Sequence, residues 1–159
     1  MPSGRGWWLC EFVLPLLDEA EADEWGAFLD ELRGETNRTR VPIVRASQAS
    51  GGTARVDGAS QTGRSLVCDG FPANSTILGR GKRVTIALQA LRLRTPIVTD
   101  GNGRATISFE PAIRRAPQDD EIVEYKLPYS VMALEEIPAI TKRLNGFYSI
   151  PTLQFKEAF

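Results

Sequence analysis

Histidine is absent from the 159 residues, which removes both the commonest general base and the commonest metal ligand. Cysteine occurs only as Cys10 and Cys68, each inside an apolar, strand-like run. Two thiols are too few for a disulfide framework, so both are expected to be reduced and buried. Neither has a basic neighbour in sequence, which leaves a cysteine nucleophile without an activating base. No apolar run approaches the roughly 20 residues that a membrane-crossing helix needs. The longest, residues 7–17, is interrupted by Glu11 and Pro15. Only Arg5 precedes that run and no small-residue cleavage site follows it, so neither a signal peptide nor a membrane partner is expected.

The motifs of nucleotide and calcium chemistry are missing too. Gly79-x-Gly81-Lys82 lacks the four-residue spacer and the Ser/Thr of a phosphate-cradling loop. The acids after Asp18 lack the alternating Asp/Asn and Gly of a calcium loop. Asp119-Asp120 and Glu135-Glu136 are adjacent pairs, and neighbours on an extended chain point to opposite faces, which argues against a shared acid/base site. The expectation is a protein that is not an enzyme, with no catalytic residue, cofactor-binding residue, metal ligand or cofactor.

What is present is strand pattern and segregated charge. Apolar content of 42% and charged content of 25% are ordinary for a globular protein, and the length suits one domain with a sizeable core. The net charge of −1 conceals zones: residues 1–35 carry nine acids against two bases, 36–116 thirteen bases against four acids, and 117–159 seven acids against four bases. Such zones either neutralise one another within a monomer or favour head-to-tail association of copies.

The most strongly specified stretch is residues 92–115. Ala105, Ile107 and Phe109 alternate with Arg104, Thr106, Ser108 and Glu110, the period of a strand with one buried face. Before it, Asp100-Gly101-Asn102-Gly103 supplies residues that tolerate a tight turn, and 93–99 reads as the preceding strand. A β-hairpin is expected there, ended by Pro111.

Upstream, residues 6–14 read as a buried or edge strand. Asp18 followed by Glu21 forms a capping box, and Ala22, Trp25, Phe28, Leu29 and Leu32 recur on one helical face up to a Gly34 stop. A helix over about 18–33 follows. Arg38–Val44, with Pro42, is an edge-type strand. Residues 46–63 are rich in Ser, Gly, Ala, Thr and Gln and predict a long exposed loop or flexible arm. Short strands follow at 65–70, 83–88, 122–127 and 130–134. Asn145-Gly146 signals a second hairpin, and 147–159 is an extended, aromatic-rich terminal segment. The fold class is mainly β, an antiparallel sandwich or barrel with one N-terminal helix, as a single domain over 1–159.

The basic set Arg80, Lys82, Arg83, Arg92, Arg94, Arg104, Arg114 and Arg115 is the feature that fits a nucleic-acid-binding barrel, Arg92 and Arg94 projecting to one side of a strand. No aromatics interleave with residues 80–94 as stacking platforms, so no specific nucleic acid is expected. A carbohydrate-binding sandwich, with Trp7, Trp8 or Tyr129 stacking on sugar, is the other alternative.

The order of motifs carries a resemblance. An aromatic strand leads into W-x-x-F-L-x-x-L-R-G (Trp25–Gly34) and a Val41-Pro42 strand. D-G-A-S-Q-T-G-R-S-L (Asp57–Leu66), D-G-N-G-R-A-T-I-S-F-E-P (Asp100–Pro111), I-R-R-A-P (Ile113–Pro117) and a closing E-A-F (Glu157–Phe159) follow. This resembles tail proteins of long-tailed bacteriophages, most closely the distal tail family of the tail tip or baseplate. The chain departs from that pattern at Gly81-Lys82-Arg83, where a Gly-Asp turn is expected. The resemblance implies a structural virion protein, assembled in the host cytoplasm into a homo-oligomeric, commonly hexameric ring. It implies the tail tube protein and tail-tip hub proteins as partners, linking the tube to the receptor-binding apparatus, and it carries over no catalytic residue.

Overall fold

A computed structural model of the chain describes residues 8–158. Among them the elements are β1 (Leu9–Phe12), α1 (Glu19–Leu32), β2 (Arg38–Pro42), β3 (Ala54–Val56), β4 (Gly63–Asp69), β5 (Thr76–Leu78), β6 (Arg83–Ile86), β7 (Gln89–Leu93), β8 (Ile97–Val98), β9 (Ala105–Ile113), β10 (Ile122–Val123), β11 (Tyr129–Leu134), β12 (Thr141–Lys142), β13 (Tyr148–Ser149) and β14 (Leu153–Glu157). The protein is mainly β, antiparallel, with one helix. It comprises two compact units, residues 41–130 and residues 8–40 with 131–158.

The first unit is a barrel-like sheet in the order β10-β3-β4-β9-β7-β6. Its free ends meet through Thr85 of β6 and Glu124, just past β10, whose main chains exchange hydrogen bonds of 2.8 and 2.9 Å. The Thr85 hydroxyl donates to the Tyr129 carbonyl at 2.6 Å and accepts from the Tyr129 N–H at 2.8 Å. Thr85 is buried, so this polar cluster is satisfied out of reach of water. Inside, Phe109, Ile107, Leu91, Leu66, Ile86 and Tyr125 are essentially inaccessible. The alternation of β9 places Ala105, Ile107 and Phe109 inward, as its sequence predicts.

The hairpin expected over 92–115 forms at its base and at its turn but not between them. The Asp100 carboxylate accepts the N–H groups of Arg104 and Asn102, and these bonds hold its carboxyl below the usual range. Gly103 has φ +72°, and a Cβ there would lie 2.1 Å from the Phe71 carbonyl oxygen. Of the strand expected before the turn only the start stays beside β9: Leu93 stands opposite Phe109, and the Arg94 N–H donates to the Ser108 carbonyl. After Leu93 the chain bends, and Ile97–Val98 pairs with β5 instead; Thr99 fixes this course by donating to the Pro72 carbonyl. The partner of β9 is β7, with Arg92 opposite Glu110 and Leu93 opposite Phe109. Nor does Pro111 end the strand: a register shift between Gly63 and Ser65 of β4 lets β9 run past the missing donor.

Two further expectations are corrected. The strand over 83–88 ends at Ile86, and Ala87 and Leu88, with φ of 51° and 67°, make a two-residue hairpin loop without the usual Asn or Gly. The stretch 46–63 is not simply a loop or arm, because it contributes β3, whose Ala54 and Val56 are fully buried. It is held by polar side chains: Gln48 donates to the carbonyls of Arg83 and Tyr125, and Gln61 bonds both the N–H and the carbonyl of Val67.

The second unit contains the sheet β1-β14-β11-β2 and α1. The helix starts as expected: Asp18 caps it and exchanges side-chain-to-backbone bonds with Glu21. It stops at Arg33, in the left-handed conformation. Ala22, Leu29 and Leu32 are buried, whereas Trp25 and Phe28 are half-buried and meet edge to face at 5.8 Å. Asn145-Gly146 turns the β12–β13 hairpin as expected. The terminal segment is extended, as its sequence suggests: β14 lies between β1 and β11 and buries Leu153 and Phe155. Trp7 and the final Phe159 lie outside the described residues.

Thr85→Val, which keeps shape but removes both bonds to Tyr129, is expected to cost roughly 2 kcal/mol in urea unfolding. Gly103→Ala is expected to cost at least about 2 kcal/mol through strain and collision, against about 1 kcal/mol for Gly146→Ala, where nothing lies within 4 Å of the added carbon.

Candidate functional site

Of the basic set, Arg80, Arg92 and Arg94 come together on the barrel. They line a groove of about 480 Å³ with Gly81, Leu93, Thr95, Ser108 and Glu110. The strand register explains this: Arg92 and Arg94, two apart, project to one side of β7 and its continuation, and Glu110 on β9 stands opposite Arg92. Glu110 Oε2 takes Arg64 Nε at 2.9 Å, and Oε1 takes Arg94 Nη1 at 3.7 Å. One carboxylate therefore sits among four arginines, all exposed. The remaining members disperse. Arg104 pairs with Asp57 at 2.6 Å and Arg115 with Glu121 at 2.7 Å, both serving turns. Arg64 and Glu110 were missed as members of the cluster because only strand pairing brings them beside Arg94.

Among the described residues no aromatic ring lines this groove, so they offer charge without a stacking surface. Of the residues suited to sugar stacking, Trp8 and Tyr129 are half-buried. Tyr129 has its backbone tied to Thr85, and Trp7 lies outside the described residues.

The second unit has a different surface. Leu9 is 67% and Val13 81% exposed, and Phe12 and Leu16 are also exposed. They lie on or just after β1, the edge of its sheet. Beside them Leu14, Pro15, Leu17, Glu21, Glu24, Trp25 and Phe28 line an apolar groove of about 550 Å³. Pattern reading anticipated the strand and the helix face but not that this apolar strip stays exposed.

The adjacent acids serve structure or solvent. Asp119 accepts the Gly58 N–H, Asp120 occupies a left-handed turn position, and Glu135 and Glu136 are exposed beside Pro138 and Pro151. Among the described residues no three His, Cys, Asp or Glu side chains are grouped to hold a metal ion, and no helix is long and apolar enough to cross a membrane. Cys10 and Cys68 are free thiols. Cys68 is buried, and desolvation, with the charges of Asp69 and Asp57, pushes its thiol up to about 12. Cys10 is only half-buried; burial and then Glu11 raise it as well. Neither arrangement activates a thiolate.

Comparison with known protein families and with curated proteins finds no match to this chain.

Cys68 is expected to react with a thiol reagent only as fast as the barrel opens, and Cys10 at a measurable rate in the folded protein. Because the folded Cys68 value lies above the unfolded one of about 8.5, its contribution to stability is complete below that pH and is lost as pH rises toward about 12. Denaturant midpoints at pH 8 and 10, compared with those of Cys68→Ala, measure this loss.

Proposed function

We propose that the chain is a structural component of a bacteriophage tail, a distal tail or baseplate ring protein joining the tail tube to the tail-tip hub and receptor-binding apparatus. The motif order from Trp25 to Phe159 supports this reading through its resemblance to that family. The exposed apolar residues on and just after edge strand β1 are the observation that carries an assembling role. Leu9, Val13 and Leu16 are exposed, and Phe12, on the opposite face of β1 from Leu9, packs edge to face on Phe155 while staying partly exposed. An open strand edge bearing such residues is an aggregation liability in a monomer, and a neighbouring subunit covers it in an assembly. Full burial of one such side chain is worth roughly 1.5–3 kcal/mol. The four are only partly exposed, from 37% to 81%, so covering them together is worth roughly 3–7 kcal/mol, against the roughly 4–15 kcal/mol that association costs in lost freedom.

A ring built from identical subunits uses heterologous contacts, one surface of each copy meeting a different surface of the next. The opposite charge of the two units supports that geometry. Residues 41–130 carry twelve bases against eight acids, and residues 8–40 with 131–158 carry six bases against twelve acids.

Analytical ultracentrifugation at micromolar concentration is expected to find a discrete oligomer, resolved as rings by negative-stain microscopy. Leu9→Lys with Val13→Asp is expected to shift it to monomer with an unchanged melting temperature. A wild-type chain that stays monomeric at about 1 mM refutes the proposal.

A further inference from the structure

The strongest unassigned feature is the arginine groove of the barrel, and the same chain offers a surface opposite in charge. Glu19, Asp23, Glu24, Asp30 and Glu31 are all exposed on α1, the side away from Ala22, Leu29 and Leu32, with only Ala20 and Ala27 between them. Among the described residues none of these five acids is in an ion pair. Asp30 and Glu31 lie in the last turn, which holds no basic residue, where the helix dipole opposes negative charge. Acids kept where the helix itself disfavours them are accounted for by a positive surface outside it.

Asp23 and Asp30 are seven residues apart on nearly the same stripe, about 10.5 Å along the axis, so the acidic face runs along the helix as a row. Among the described residues the groove is lined by Arg80, Arg92 and Arg94 with Glu110 as the one acid, so its lining is net positive.

We propose that the acidic face of α1 in one copy docks on the arginine groove of the next copy's barrel, setting the head-to-tail order of the assembly. This rests on the ring reading above and names the contact that orients it. Exposed ion pairs contribute little affinity but fix orientation and speed encounter, so β1 supplies the adhesion and the groove supplies the direction.

The test is a charge swap read by sedimentation at 50 and 500 mM salt, with melting temperature as the folding control. R80E/R94E, which spares Arg92 opposite Glu110, and D23K/D30K are each expected to weaken self-association at least tenfold at low salt. Combining them in one chain is expected to restore it to within about threefold, and the wild type is expected to weaken as salt rises. A combined variant no better than its parents, or association indifferent to salt and to both pairs, overturns the proposal. In that case loss of assembly in the β1 variant still upholds the ring reading. Tight retention of monomeric protein on DNA, abolished by R80E/R94E without any effect on self-association, overturns it in favour of a nucleic-acid groove. A wild type that never associates overturns both.

Discussion

The barrel depends on closure at Thr85. A six-stranded antiparallel sheet with free ends would leave two rows of main-chain donors and acceptors exposed. Here β6 reaches the segment after β10 through two main-chain bonds, and the Thr85 hydroxyl ties the same point to Tyr129. Once the sheet curls onto itself, every second side chain has one place to go. Ile107, Phe109, Leu91 and Leu66 fill the interior, while the alternate positions, Arg92 and Glu110 among them, form the outer face. The arginine groove is thus a by-product of closure: the alternation that buries the core forces the polar residues of adjacent strands into register outside.

The other unit solves the edge problem differently. Its sheet is open, with β1 and β2 as margins. β2 carries arginines and Pro42, which discourage further pairing, but β1 carries Leu9 and Phe12 and runs into Val13. One margin is defended and the other is apolar. Together with the acidic face of α1, this gives the unit two surfaces with distinct physical character, one apolar and one charged.

How far the sequence could be read depends on whether an element is specified by its neighbours in the chain. The helix is, because Asp18 and Glu21 cap each other and the apolar stripe repeats within fourteen residues. The β12–β13 turn is, through Asn145-Gly146. The inward set of β9 is, through strict alternation. Pairing partners are not: nothing local announces that Ile97–Val98 leaves β9 for β5, since Thr99 decides it by reaching Pro72. β3 was hidden because Ala54 and Val56 are small and flanked by glycines and polar residues, and the glutamines that hold the segment read as loop composition. The Ala87-Leu88 turn carries no turn residue at all. For the candidate site, Arg80, Arg92 and Arg94 were legible as a basic cluster, whereas Arg64 and Glu110 needed the sheet register. The exposed strip at β1 was legible as a strand but not as a surface.

The interleaving of the two units bears on the order in which the molecule acquires its structure. Residues 41–130 form one continuous stretch, while the other unit joins segments from either side of it. Bringing the ends of an unstructured segment of about ninety residues together costs roughly 4 kcal/mol in chain entropy. A folded barrel removes that cost, because the Ile43 N–H donates to the Pro128 carbonyl at 3.1 Å and so holds its two ends side by side. Formation of the barrel first, followed by β14 zipping between β1 and β11, is the order this arrangement favours, and a barrel weakened by mutation would slow the maturation of a unit that it does not itself contain.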